Sequence, residues 1–386
     1  MMTTRVIKNI AELTTNDPTL GAGATGRLHD AAMVIDDDVI LWVGPDAHAP
    51  AADEMIDAQH SAVIPGFVDS HTHLVFAGER SDEFEARMSG TTYDGGGIVS
   101  TVNATRAASS DELRRATQTR FCELRAGGVT TVEIKSGYAL DVDGESRLIE
   151  IANEFSDEVT FLGAHVVPPQ YAADREGYVN LVRGPMLDAC ASRSKWADVF
   201  CDRGAFDVDE SRAILSAARS AGLGLRVHGN QLGETGGVAL AVEMDAASVD
   251  HCSFLSDDDI DQLAASATVA TLLPGADFST RANYSSARRL SDRGALIALA
   301  TDCNPGTSYV TSMAFVLAIA VRDMRMDFDG ALWSATRGGA LALRRDDVGR
   351  LSVGAKADVV ILDAPRAVHL AYRPGASIVR QVIAAR

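Results

Sequence analysis

Lysine is nearly missing from this 386-residue chain: Lys8, Lys135, Lys195 and Lys356 are the full set, and arginine carries almost all the positive charge. With 35 Lys+Arg against 53 Asp+Glu, the formal net charge is −18. A field of that sign repels phosphate backbones and anionic bilayers, which argues against nucleic acid and membrane surfaces as partners. An anionic substrate would need a local arginine or a metal to draw it in. Cysteine is scarce as well. Cys122, Cys190, Cys201, Cys252 and Cys303 are odd in number and form no Cys-x-x-Cys pair, so neither a disulfide framework nor a thiolate zinc site is indicated. Free thiols suit a reducing cytoplasm, which is the expected location. Long apolar runs are absent too. The longest, MAFVLAIAV from Met313, is too short to span a bilayer and reads as a buried helix. The opening MMTTRVIKNIAEL has neither the apolar stretch nor the cleavage pattern of a signal peptide. No Gly-x-Gly-x-x-Gly turn follows the first strand-like run, which disfavours a doubly wound open sheet. Gly95-Gly96-Gly97 is followed by no Lys-Ser/Thr, so it is not a phosphate-binding P-loop and reads as a flexible segment near a barrel mouth.

What is present points to one large α/β domain and one small β domain. Hydrophobic residues make up 46% of the chain, ample for a core, and the charged fraction of 23% is ordinary. AAMVIDDDVILWVGP is two β-rich runs about an Asp-Asp-Asp turn, the pattern of a hairpin. At the far end GRLSVGAKADVVILDAP gives a turn, a strand and then Pro365. Chain ends often lie close together, so residues 1–62 and 348–386 are expected to build one small β-sandwich domain. Within residues 63–347, eight apolar runs alternate with helix-like stretches: Phe67–Ser70, Thr130–Ile134, Val159–Ala164, Ala197–Cys201, Gly224–Val227, Ala247–Asp250, Thr268–Leu273 and Leu296–Thr301. SDDDIDQLAAS opens with Ser256 as an N-cap and acidic residues in the first turn. Eight parallel strands with intervening helices predict a (β/α)8 TIM-like barrel. The interval from Leu74 to Val129 has room for extra helices and a loop.

In VIPGFVDSHTHLVFAGER, residues 63–80, an apolar run ends in Asp-Ser-His-Thr-His. Side chains alternate along a strand, so His71 and His73 share a face. Barrel chemistry sits at the C-terminal ends of strands. His71, His73, His165, His228 and His251 all fall at or just past a proposed strand end, whereas His29, His48, His60 and His369 lie in the terminal segments. The eighth run, ALIALATD, ends in Asp302, and a carboxylate after so apolar a run needs a cation. Solvated or hydrogen-bonded structural histidines are the plainer reading. Four candidate ligands on three strand ends outweigh it. His71, His73, His228 and Asp302 form a three-imidazole, one-carboxylate shell suited to one Zn2+ or Fe2+/Fe3+ per subunit, with water completing it.

These residues resemble a known family. PGFVDSHTH, a later strand-end histidine, and ATD closing the eighth run resemble the metal-dependent amidohydrolase superfamily. More narrowly, FVDSHTHLVFAGER, GVTTVEIKSGYALD, FLGAHVVPP and ALATDCNPGT are similar to the imidazolonepropionase family of histidine degradation, and the likeness runs over nearly the whole chain. The resemblance implies a distorted barrel with a small β-sandwich made from both chain ends, and one zinc or iron at His71, His73, His228 and Asp302. It implies hydrolysis of the cyclic amide C–N bond of 4-imidazolone-5-propanoate to N-formimidoyl-L-glutamate, with a metal-bound water as nucleophile. It also implies substrate contacts at Arg80, Tyr138 and His165 and along Asn304-Pro305-Gly306-Thr307, and a homodimer. The partner is then a small anionic imidazolone. The Arg80 guanidinium offers a fork for its propanoate, against the alternative of a surface ion pair with Glu79 or Asp82. His251 can hydrogen-bond the carbonyl oxygen as it becomes anionic.

One departure stands out. The family often has His-x-x-Glu after the fifth strand, and that glutamate is proposed as general base; here HGNQLGE puts Gln231 at the position. An amide orients by hydrogen bonds but accepts no proton at neutral pH. Proton transfer is therefore expected from Asp302, with His251, while Gln231 positions the ring; Glu234 reads as a loop residue. Lys135, near the second strand end, raises a two-metal reading, but the superfamily's bridging lysine belongs to the fourth strand, so one metal is expected. Two other functions compete: a different amidohydrolase, such as an amino-purine or cytosine deaminase, and a non-catalytic assembly protein on a dead barrel. Arg80 weighs against the first, and the complete ligand set against the second.

Overall fold

The computed structural model describes residues 3–36, 38–90 and 97–385. Asp37 of the expected hairpin turn, and Gly95 and Gly96 of the triple-glycine stretch, lie outside the described residues. Contacts divide the chain into two units, one running up to Asp69 with Glu123–Thr131 and everything from Ser312, the other Ser70–Cys122 with Val132–Thr311.

The first unit carries a mixed six-stranded sheet. Its strands are β1 (Thr4–Thr14), β2 (Arg27–Asp36), β3 (Val39–Pro45) and β4 (Glu54–Pro65), joined from the far end of the chain by two more, Val359–Leu362 and Val379–Ile383. The Val359–Leu362 strand pairs antiparallel with β4, so both chain ends enter one sheet as the two β-rich termini predicted. β2 and β3 form the expected antiparallel hairpin. Alternate residues of the strands, among them Ile7, Met33, Ile35, Val63, Val359 and Ile361, pack into one buried cluster. MAFVLAIAV lies in the helix Met313–Arg322, with Val316, Leu317 and Ala320 buried.

The other sheet has eight parallel strands in sequence order: β5 (Phe67–Asp69), β6 (Val129–Lys135), β7 (Glu158–Ala164), β8 (Trp196–Cys201), β9 (Gly224–Gly229), β10 (Ser248–His251), β11 (Val269–Leu272) and β12 (Ile297–Leu299). Each matches one of the eight apolar runs within about two residues, the usual scatter of strand ends. They read as near-continuous apolar runs because a parallel sheet in such a fold is covered on both faces; β7, β10 and β11 are buried at every position. Helices return the chain between strands. Asp257–Ala264 starts in a capping box, the Ser256 side chain taking the Asp259 N–H and the Asp259 side chain taking the Ser256 N–H. The long first interval does hold extra helices, Ser81–Met88, Ile98–Ala107 and Ser110–Ala126.

Beyond the strand ends the chain makes a second set of connections. Thr72 forms a parallel bridge with Cys303. His73 N donates to Cys303 O at 3.0 Å, and Asp302 N donates to His71 O at 3.0 Å. Lys135 N donates to Thr72 O at 2.9 Å. The segments following β5 and β12, the first and last strands of the order, are thus stitched together by main-chain bonds.

Candidate active site

That stitching places His71, His73 and Asp302 side by side. His71 and His73 lie just past β5 rather than within it, and the Thr72 bridge keeps the strand-like alternation that puts both rings on one side. His228 comes from the C-terminal half of β9. The four donors converge: His71 Nε2 is 3.4 Å from Asp302 Oδ1, His73 Nε2 is 3.6 Å from the same oxygen, and His228 Nε2 is 3.4 Å from His73 Nε2. All four residues are buried.

His71 Nδ1–H donates to Asp250 Oδ2 at 2.7 Å, which fixes the tautomer and leaves the Nε2 lone pair facing the cluster. That Nε2 has no hydrogen-bond partner among the described residues. His228 Nδ1 lies 3.0 Å from Asp198 Oδ2, so its Nε2 faces the cluster as well. Burial pushes the His71 and His73 rings well below the ordinary imidazole range, so neither carries a proton that could relieve the crowding. Lone pairs and a carboxylate oxygen held this close repel one another unless a cation sits between them. Donor atoms about 2.1 Å from a tetrahedral metal are about 3.4 Å apart, which is the spacing found. The donor set and its geometry fit a metal ion.

Beneath the cluster is a fully buried layer of charge. Lys135 Nζ lies 2.8 Å from Glu133 Oε1, 2.9 Å from Asp198 Oδ2 and 3.8 Å from Asp250 Oδ2. Arg226 Nη2 is 3.2 Å from Asp250 Oδ2 and donates to Ser70 O at 2.7 Å. Burial alone would raise both aspartates. His228 and Lys135 outweigh it at Asp198, and Arg226 and His71 at Asp250, so both stay below the usual carboxylate range.

Above the cluster opens a cavity of about 170 Å3. Its walls include Arg80, Tyr138, His165, Gln231, His251, Asn304, Gly306 and Thr307 beside His73, His228 and Asp302. Apart from Pro305, each residue expected to contact substrate or move protons therefore lines the same space, whereas Glu234 is exposed. His165 Nδ1–H donates to Gly137 O at 3.0 Å, and burial pushes the ring down to about 3, so its Nε2 is an acceptor at neutral pH. Asn304 Oδ1 takes the main-chain N–H groups of Gly306 and Thr307, both at 2.8 Å, and its Nδ2 donates to Asp302 O at 2.7 Å, which folds Asn304-Pro305-Gly306-Thr307 into a turn. Arg80 pairs with Glu83, not with Glu79 or Asp82: Nε donates to Oε1 at 2.9 Å and Nη2 to Oε2 at 2.5 Å. The Arg80 Nη1 edge has no hydrogen bond among the described residues, and a Cβ built on Gly306 would lie 2.2 Å from it. Asn230, His251 and Asp302 have φ of 55°, 81° and 52°. Left-handed non-glycine residues cost about 1–3 kcal/mol each.

The buried layer is what sequence reading missed. Glu133, Asp198, Arg226 and Asp250 each interrupt an apolar strand, and Glu133 and Lys135 sit two apart on one face. Lone charges in runs this apolar were the available signal. Phe200 and Arg203, on the cavity wall, carried none.

The profile of the amidohydrolase family matches residues 62–384. An imidazolonepropionase from Streptomyces griseus subsp. griseus is 58% identical over 99% of this chain and 98% of that protein. One from Mycolicibacterium smegmatis is also 58% identical, over 99% and 96%. Among solved structures, a variant of atrazine chlorohydrolase from Arthrobacter aurescens TC1, complexed with zinc and atraton, aligns at a TM-score of 0.74 and 18% identity over 99% of this chain and 94% of that one. An adenosine deaminase from Xanthomonas campestris with bound zinc aligns at 0.70 and 19% over 99% and 91%. At such identities the structural likeness is one of fold.

Proposed function

The chain belongs to the amidohydrolase family, and within it to the imidazolonepropionases, and on that footing we propose that it opens the ring of 4-imidazolone-5-propanoate by hydrolysis to N-formimidoyl-L-glutamate. The observation that carries this reading is the convergence of His71, His73, His228 and Asp302 at the floor of a cavity walled by Arg80, Tyr138, His165 and Gln231. In the proposal those four residues hold one Zn2+ or Fe2+/Fe3+. When bound, such an ion makes water nucleophilic near neutral pH and polarises the ring carbonyl.

The chain's own residues do the rest. The Nη1 edge of Arg80, without a hydrogen bond among the described residues, meets the propanoate, because Glu83 uses the Nε and Nη2 side of the guanidinium. His165 Nε2, fixed as an acceptor, takes a ring N–H. Tyr138, whose ring centroid is 5.3 Å from that of His165 and 5.7 Å from that of His73, supplies a wall for the flat ring. The amide of Gln231 orients the ring; its main-chain N–H is held by Asp202 Oδ2 at 2.7 Å. Asp302 accepts the proton of the attacking water and returns it to the departing ring nitrogen. Thr307 Oγ1 lies 3.5 Å from Asp302 Oδ2. His251 stabilises the oxygen that becomes anionic.

The proposal also keeps residues 1–62 with 348–386 as one domain and 63–347 as the other, and places a homodimer in the cytoplasm. Five free cysteines suit a reducing compartment, and no described helix is long and apolar enough to cross a membrane. The test is loss of imidazolone absorbance with purified protein supplied with zinc or ferrous iron, and identification of the product. Turnover of an aminopurine or cytosine but not of the imidazolone would refute the substrate, and no hydrolysis of any of them would refute the enzyme.

A further inference from the structure

Lys135 has no part in the chemistry above, yet it is the only lysine fully buried among the described residues and touches the site from below. Its ammonium lies 2.8 Å from Glu133 Oε1, 2.9 Å from Asp198 Oδ2 and 3.8 Å from Asp250 Oδ2. Two of those carboxylates sit beside imidazoles of the cluster, on different strands. Asp250, on β10, accepts from His71 Nδ1, and Asp198, on β8, faces His228 Nδ1. The third, Glu133, sits two residues before Lys135 on β6, takes the hydroxyl of Thr160 on β7 and accepts the main-chain N–H of Thr72, between the two histidines, at 3.2 Å. One ammonium therefore joins the anions that orient two imidazoles and the loop that carries them.

We propose that Lys135 is a positioning residue for the metal centre: its ammonium ties Asp198, Asp250 and Glu133 together, so that the Nε2 atoms of His71 and His228 are aimed at one point before any ion arrives. This rests on the reading that His71, His73, His228 and Asp302 hold the metal.

Charge alone predicts the opposite effect, which makes the proposal testable. The paired set holds Lys135 and Arg226 against Glu133, Asp198 and Asp250, and Asp302 stands beside it. A positive neighbour weakens cation binding by simple Coulomb repulsion, so removing it should tighten a purely electrostatic site. If Lys135 positions, removing it loosens the site, because altered partners of metal-bound histidines typically cost 10–100-fold in metal affinity. The rival role is exclusion: Asp198, His228 and Asp250 are a further donor group whose ligand atoms lie close enough to hold an ion, and Lys135 Nζ lies 2.9 Å and 3.8 Å from its two carboxylates.

The experiment compares zinc affinity, by competition with a chromophoric chelator, in the full-length wild type, in Lys135→Met and in the charge-balanced pair Lys135→Met with Glu133→Gln. The pair removes one cation and one anion together, and it decides the matter if the single variant does not fold. Melting of the metal-free proteins checks the fold, and the visible spectrum of the cobalt-loaded proteins reports ligand geometry. The expected result is an affinity at least tenfold weaker with a changed cobalt spectrum and near-normal far-ultraviolet circular dichroism. Affinity equal to or tighter than wild type, or uptake of a second ion per chain, overturns the proposal. His228→Ala serves as control: if it too keeps full affinity, the ligand assignment has failed rather than the role of Lys135.

Discussion

Gly306→Ala probes the substrate end of the cavity through a single methyl group. The new Cβ would sit 2.2 Å from Arg80 Nη1, 2.8 Å from Cζ and 3.3 Å from Nη2, where ordinary contact begins at 3.4 Å. The guanidinium must therefore retreat by roughly 1.2 Å from the edge assigned to the propanoate. The atoms displaced are the tip of a flexible side chain, and φ at Gly306 is not left-handed, so the backbone accepts alanine. The Arg80–Glu83 pair is worth at most about 1 kcal/mol, since the Glu83 side chain is 37% exposed. The melting temperature should fall by no more than about 3 °C. A charge-assisted hydrogen bond to the carboxylate is worth about 1.5–3 kcal/mol, so KM should rise about 10- to 160-fold. With the contact made equally in ground and transition states, kcat should change little. Steady-state assays on Gly306→Ala, Arg80→Ala and the double variant close the cycle. The double variant should match Arg80→Ala alone, because both lesions act through one guanidinium. An unchanged KM in Gly306→Ala alongside a raised KM in Arg80→Ala would refute the reasoning, and so would additive effects in the double variant.

Removing a ligand should separate metal from fold. His228→Ala is expected to lose bound metal on dialysis and to drop kcat by more than about 100-fold; retention of one ion per chain by elemental analysis would remove His228 from the shell. Gln231→Ala should lower kcat/KM by about tenfold through lost orientation. If Gln231→Ala and Gln231→Glu both turn over at the wild-type rate, the amide does not position the ring. Away from the metal, burial pushes Asp277 up to about 7. The folded chain then keeps a proton that the unfolded chain releases near pH 4, so the stability linked to this group is full below pH 4 and is lost as pH rises toward 7. Asp277→Asn cannot ionise. It should be more stable than wild type at pH 8, by about 1–3 kcal/mol, and equal to it near pH 4; melts at the two pH values showing equal gains would disprove the link.

The eight barrel strands were legible because most of their positions are apolar on both faces, and burial leaves a plain imprint on composition. The proposed ligands stood out for a related reason: a histidine or aspartate closing an apolar run must have something to bind. Arg80 was half legible. Its place on the cavity wall followed from the motif, but its partner Glu83 did not, because an i,i+3 pair appears only once Ser81–Met88 is known to be helical. Lys135 was read by its distance from the fourth strand, whereas its meaning lies across the sheet, at Asp198 and Asp250. Those partners stand on β8 and β10, which do not pair with β6; the contact is made by inward-facing side chains of alternate strands, and no local pattern of residues states which of them will meet.

The main-chain bonds between the segments after β5 and β12 also bear on how the protein is made. His71 leaves the ribosome long before Asp302, so a nascent chain has imidazoles but no carboxylate with which to complete the shell. On the proposed ligand set, the full shell exists only once the segment after β12 has been synthesised and bonded to the segment after β5. Closing so long a loop is entropically costly, and an ion gripping both of its ends favours the closed chain over every open one. Metal uptake would thus act as a proofreading step, marking chains whose barrel has been completed.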